Sequence, residues 1–165
     1  MLGLVNGISY NNSVSGLSIG DTHQGGIVFY LDGSGGGLVA APTDQSSGAE
    51  WGCDGVLISG TAAAIGTGAQ NTIDIEAGCT TSGTPADLCA NLTLNGYSDW
   101  FLPSKDELNE MYLTSSAMPF VYSNLYWSST EASPTKAWAI NFALGVIAQY
   151  PKNGDSPKVR AIRAF

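Results

Sequence analysis

One histidine, three cysteines and fourteen carboxylates are what this chain offers to chemistry. Catalysis needs a nucleophile beside a base, or a carboxyl group tuned as an acid. His23 stands in the Gly-rich stretch Gly20 to Gly26 with no Ser or Cys motif beside it, and it reads as a turn residue. Ser128-Ser129-Thr130 lacks the Gly-x-Ser-x-Gly elbow of hydrolases. Asp106, Glu107 and Glu110 open a helix, where carboxylates complement the dipole without catalytic duty. His23 with the cysteines matches a zinc donor set in number only, because the chain has no CxxC pair. Asp32 and the glycines after it look like a calcium loop but supply one carboxylate and no closing bidentate Glu. Binding is therefore the leading expectation, with no catalytic residue, metal or cofactor. A hydrolase using His23 is the weaker alternative.

Binding draws on other residue types. Polar and aromatic side chains of the late loops are the candidate ligand contacts: Tyr122, Asn124, Tyr150, Lys152, Asn153 and Lys158. The competing reading for each is a solvated loop residue. Trp127 and Trp138 have faces that suit a sugar ring, but tryptophans in strands more often build a core.

Charge narrows the partners. The formal net charge is −8, which repels phosphate backbones and argues against nucleic acid. No Lys or Arg precedes Lys105, so all six basic residues lie between 105 and 163. They either gather into a basic patch or, as with Arg160 and Arg163, pair with local carboxylates. No apolar run is long enough to cross a membrane. The opening Met1 to Gly7 lacks the basic region of a signal peptide, so for an extracellular domain the secretion signal lies elsewhere, or the domain rides on a phage particle. Cys79 and Cys89 flank a short Thr/Ser/Gly/Pro segment and would close a loop worth ~2–3 kcal/mol, with Cys53 able to replace either partner.

These residues need a scaffold, and 165 residues make one domain with a real core. The organising stretch is Asp99 to Leu108. Ser104 is a helix N-cap, Glu107 is placed to close a capping box, and Leu108, Met111 and Tyr112 form one apolar face. Thr84 caps a second helix with Pro85 at its first position, and residues 69–77 form a third, ended by Gly78. Strands are expected at 27–31, 38–41, 126–130, 137–142, 146–150 and 159–165, after an extended lead-in over 1–19. Strands, then short helices, then strands give an α+β domain over 20–165 with antiparallel sheets and long loops.

Four segments in order carry a family pattern: Gly26 to Leu31, Asp99 to Leu108, Tyr126 to Glu131 and Val159 to Arg163. Together they resemble the Legionella collagen-like (Lcl) C-terminal domain family, over about residues 20–165. The resemblance implies a C-type-lectin-like fold in which N- and C-terminal strands pair and long loops carry recognition. It also implies a head on surface adhesins and fibres, often trimeric, whose namesake binds sulfated glycans. The chain has neither the Glu-Pro-Asn-type nor the Trp-Asn-Asp-type tripeptide of calcium lectins. The expectation is an extracellular recognition head, on a cell surface or phage virion, that contacts glycan or another cell-surface ligand as a homotrimer. A structural capping module of a fibre is the alternative.

Overall fold

A computed structural model describes residues 16–118 and 124–165. Of the lead-in, residues 1–15 lie outside the described residues, as does Tyr122 among the candidate ligand contacts.

The first sheet is built from β1 (Thr22–His23), β2 (Gly26–Leu31), β3 (Gly37–Ala40) and β7 (Ile162–Ala164), all antiparallel. The last strand thus shares a sheet with the first, hydrogen-bonded to β3 rather than to β1. Side chains alternate faces along a strand, and here both faces are buried. Ile27, Phe29, Leu38, Ala40 and Ile162 enter one apolar cluster. Val28, Val39, Ala41 and Ala161 enter another on the opposite side.

The second sheet is the meander β4 (Leu125–Ser133), β5 (Lys136–Asn141) and β6 (Val146–Pro151). Its face bearing Tyr126, Ile140 and Phe142 joins Ile27 and Phe29 in the first cluster. Trp127, Ala137 and Ala139 meet Trp51, Ile58 and Ile75 in a third. Trp127 is fully buried, with its indole N–H donating to the Ala49 carbonyl, whereas Trp138 is half-buried with the Lys105 ammonium 5.2 Å from its ring centre.

Three helices fill the middle of the chain: α1 (Gly68–Gly78), α2 (Pro85–Ala90) and α3 (Lys105–Leu113). Thr84 accepts from Asp87 N–H at the start of α2. At α3, Ser104 accepts from Glu107 N–H while the Glu107 carboxylate accepts from Ser104 N–H, closing the capping box. That carboxylate is buried and also takes the Gly66 N–H at 2.7 Å, so it anchors the loop ahead of α1. Burial pushes the Glu107 carboxyl up, against the pull of these N–H donors. Leu108 and Met111 sit in the first cluster with Tyr112 packed against it, so α3 spans both sheets.

The approach to α3 is fastened on three sides. Phe101 exchanges backbone hydrogen bonds with Ile162, Leu102 N–H donates to the Thr72 hydroxyl, and Pro103 carbonyl accepts from Ser129 N–H. One disagreement with the expected strands is at 159–161. There the chain leaves ladder geometry and bonds instead to the 41–46 loop, through Ala41 N–H to Ala161 and Gln45 N–H to Val159.

The cysteines settle differently from the Cys79–Cys89 pairing. The disulfide joins Cys53 to Cys79 and Cys89 is a buried free thiol. The physical reason is burial on different sides: Cys89 packs with Trp100 and Leu102 on the outer face of the first sheet, Cys79 with Trp51 and Ile75 under the second.

Candidate functional site

Two tight turns meet at one end of the first sheet. Between β1 and β2, Gln24 (φ 41°) and Gly25 (φ 87°) are both left-handed, as a two-residue type I′ hairpin requires. Asn95 (φ 53°) and Gly96 (φ 84°) repeat the arrangement, with Leu94 and Tyr97 exchanging both backbone hydrogen bonds. Asn95 Nδ2 donates to the Gly25 carbonyl at 2.8 Å and locks one turn to the other. Gly25 has to be glycine for a second reason, since a Cβ there would lie 2.7 Å from the Tyr97 ring.

Arg163 from β7 secures the same place. Its guanidinium lies 3.9 Å from the Tyr97 ring centre, Nη1 donates to Gln24 Oε1 at 2.9 Å, and Nε pairs with Asp99. Its charge is therefore neutralised by Asp99. Between the turns lies a cleft of about 590 Å³, within the ~300–1,000 Å³ usual for small-ligand sites. Thr22, Gln24, Asn95 and Tyr97 give it polar groups, and Ile27 with Pro42 gives it apolar wall. A second open cleft, about 410 Å³, lies between Thr43–Gln45 and α2. Its carboxylates and amide are largely taken: Asp44 by Lys158 and Arg160, Gln45 Oε1 by Ala161 N–H, and Asp87 by Gly83 N–H and Asn91.

The model of the Lcl C-terminal domain family matches residues 41–163. The chain belongs to that family. Its members are fibre- and adhesin-type C-terminal domains. The matched range begins after β3, so the wall of the first cleft formed by Thr22, Gln24 and Ile27 lies outside it, while Pro42, Asn95 and Tyr97 lie inside. No curated protein matches the chain closely enough to lend it a function.

In this Lcl C-terminal domain the late-loop candidates do not form one surface. Lys152 is fully buried; its ammonium ion-pairs with Glu131, donates to the Val56 carbonyl at 2.7 Å, and lies 4.6 Å from the Trp51 ring centre. Glu131 also accepts from Ile58 N–H at 3.0 Å, so the pair pins the 53–58 loop to the second sheet. Tyr150 is half-buried against the Trp51–Trp127 cluster. Lys158 pairs with Asp44 at 3.2 Å beside Arg160. Asn124 is half-buried at the foot of β4, its carbonyl accepting from Phe142 N–H. Asn153 alone of the described candidates is exposed, 3.3 Å from Asp54.

His23 stands in β1 with its ring edge-on to Phe165 at 4.6 Å. The Asp32 loop is an Asx turn, its carboxylate accepting from Ser34 and Gly36 N–H and held below the usual range by the Ser34 donor. No group of three His, Cys, Asp or Glu placed to hold a metal occurs among the described residues. The two-turn cleft was missed from sequence even though Gln24-Gly25-Gly26 and Asn95-Gly96 announce turns. What sequence does not give is that the turns touch.

Proposed function

We propose that this domain is the extracellular recognition head of an adhesin or phage tail fibre, binding a cell-surface ligand without catalysing a reaction. The observation that carries the reading is the cleft between the two turns, whose side chains hold hydrogen-bonding groups not used by the fold. Rigid hairpin turns on a buried sheet suit recognition, because little order is lost on binding. The Cys53–Cys79 bridge fits an oxidising compartment, and no helix among the described residues is long and apolar enough to cross a membrane. The pairing of the last strand into the first sheet supports the same reading, with the two turns standing at the end of a scaffold fastened by its own C-terminal strand.

Assembly is the second reading, and β6 favours it. Its outer edge makes no backbone pair among the described residues, and Val146 and Ile147 in the strand, with Leu144 just before it, are exposed. Such an edge is a template for another copy of the chain, and a homotrimer would give weak sites avidity. The test joins fluorescent multimers of the domain to intact cells, with light scattering of the free domain. Saturable adhesion is the expected result. A stable oligomer that adheres to no cell type would replace the recognition head with the capping module.

A further inference from the structure

We propose that the two-turn cleft takes an uncharged saccharide; this rests on the recognition-head reading and specifies its ligand class. The argument begins with what the fold leaves unused. Asn95 Nδ2 and Gln24 Oε1 are bound to Gly25 and Arg163, which also fixes how both amides face. Among the described residues no protein group takes up the Asn95 Oδ1, the Gln24 Nε2, the Thr22 hydroxyl or the Tyr97 hydroxyl. One acceptor, one amide donor and two hydroxyls able to do either make a set without charge. Sugar hydroxyls, each donor and acceptor at once, match that set. The Tyr97 ring, Ile27 and Pro42 supply the apolar surface that the C–H faces of a sugar ring require.

The charge pattern argues against the anionic alternative. A sulfated or sialylated glycan is held most strongly by a cation free to meet it. Five of the six basic residues are held by carboxylates: Lys105, Lys152, Lys158, Arg160 and Arg163. Arg163, behind the Tyr97 ring, is paired with Asp99 and stacked on that ring. A peptide adding a strand finds only the two residues of β1 at this edge.

The experiment is a glycan array carrying neutral, sialylated and sulfated sugars, read at low and high salt with the full chain and its variants. Thr22→Val and Tyr97→Phe each remove one hydroxyl, and each should weaken binding about three- to tenfold. Thr22→Trp, at an exposed position, fills the cleft and should abolish the signal with the melting temperature unchanged. The expected result is binding to neutral glycans, insensitive to salt and lost in Thr22→Trp. Binding confined to sulfated or sialylated glycans and weakened by salt overturns the ligand class and leaves the recognition head standing. Neutral-glycan binding that survives Thr22→Trp overturns the site. A folded domain that binds no glycan overturns the proposal, and cell adhesion then decides separately whether the recognition head survives.

Discussion

The late loops and the two cleft turns carry similar polar residues, yet the fold uses them in opposite ways. In the late loops the two lysines are engaged by the fold. Lys152 is sealed against Glu131 and Trp51, and Lys158 shares Asp44 with Arg160. At the turns, Gln24 and Asn95 each use one end of the amide to hold the backbone and leave the other end open. A residue type that suits recognition is thus no guide to recognition. What matters is whether the interior has already satisfied it.

Breaking the engaged side should have the largest effect. Lys152→Met leaves the Glu131 carboxylate, its side chain only 3% exposed, without its cation. Removing one partner of a buried pair costs about 3–5 kcal/mol, because the remaining charge is desolvated and uncompensated. Urea unfolding of Lys152→Met against wild type reads this directly. The double variant Lys152→Met with Glu131→Leu should recover most of the loss. A single variant that costs under ~1 kcal/mol would mean that Lys152 is not structural, and the contrast between the two regions would collapse.

Next in size is the disulfide that closes the same loop. Cys53 and Cys79 are 26 residues apart, a closure worth about 3–4 kcal/mol in the chain-entropy model. Reduction, or Cys53→Ser with Cys79→Ser, should lower stability by about that amount. Burial pushes the Cys89 thiol far up, so it stays protonated and unreactive in the native state. Thiol titration should therefore find no fast-reacting group in the folded protein and one after unfolding.

The sequence was legible wherever a local rule decides the outcome. Thr84 and Ser104 are caps because an N-terminal N–H needs an acceptor whatever surrounds it. The alternation of β5 and the apolar face of α3 are equally local, and so are the two turns. Pairings across the chain were not legible. Nothing near Cys79 says that its partner is Cys53 rather than Cys89, and nothing near Lys152 says that Glu131 and Val56 enclose it. Arg160 and Arg163 do pair with carboxylates, but not with local ones, since Asp44 and Asp99 are distant in sequence. The candidate cleft belongs to this second kind, since it exists only because residues near 24 and near 95 come together.

Alkaline pH probes the cluster around Lys158 with a smaller effect. Tyr126 is buried beside Asp44 and Arg160, and burial, reinforced by the Asp44 carboxylate, pushes its phenol up to about 12. An unfolded tyrosine ionises near ~10, so between about pH 10 and 12 the unfolded chain releases this proton and the native protein retains it. Native stability therefore falls as pH rises through that window, by an amount on the order of 1–2 kcal/mol. Tyr126→Phe lacks this component. Its stability curve should be flatter than that of wild type by that amount, with the lysines cancelling in the comparison.

The smallest effect is the one that tests the open side. If the Thr22 and Tyr97 hydroxyls serve a ligand and not the fold, removing both should leave stability within about 0.5 kcal/mol of wild type. Thr22→Val keeps the branched shape on β1, and Tyr97→Phe keeps the ring that Arg163 stacks on and that Gly25 packs against. A neutral result in denaturant, set beside the loss in Lys152→Met, would place the two regions at opposite ends of one scale. A loss of about 1 kcal/mol or more, the usual worth of an intramolecular hydrogen bond, would mean that these hydroxyls are engaged within the protein. The polar groups of the cleft would then be spent on the fold just as Lys152 and Lys158 are, and its capacity for a sugar would disappear with the contrast.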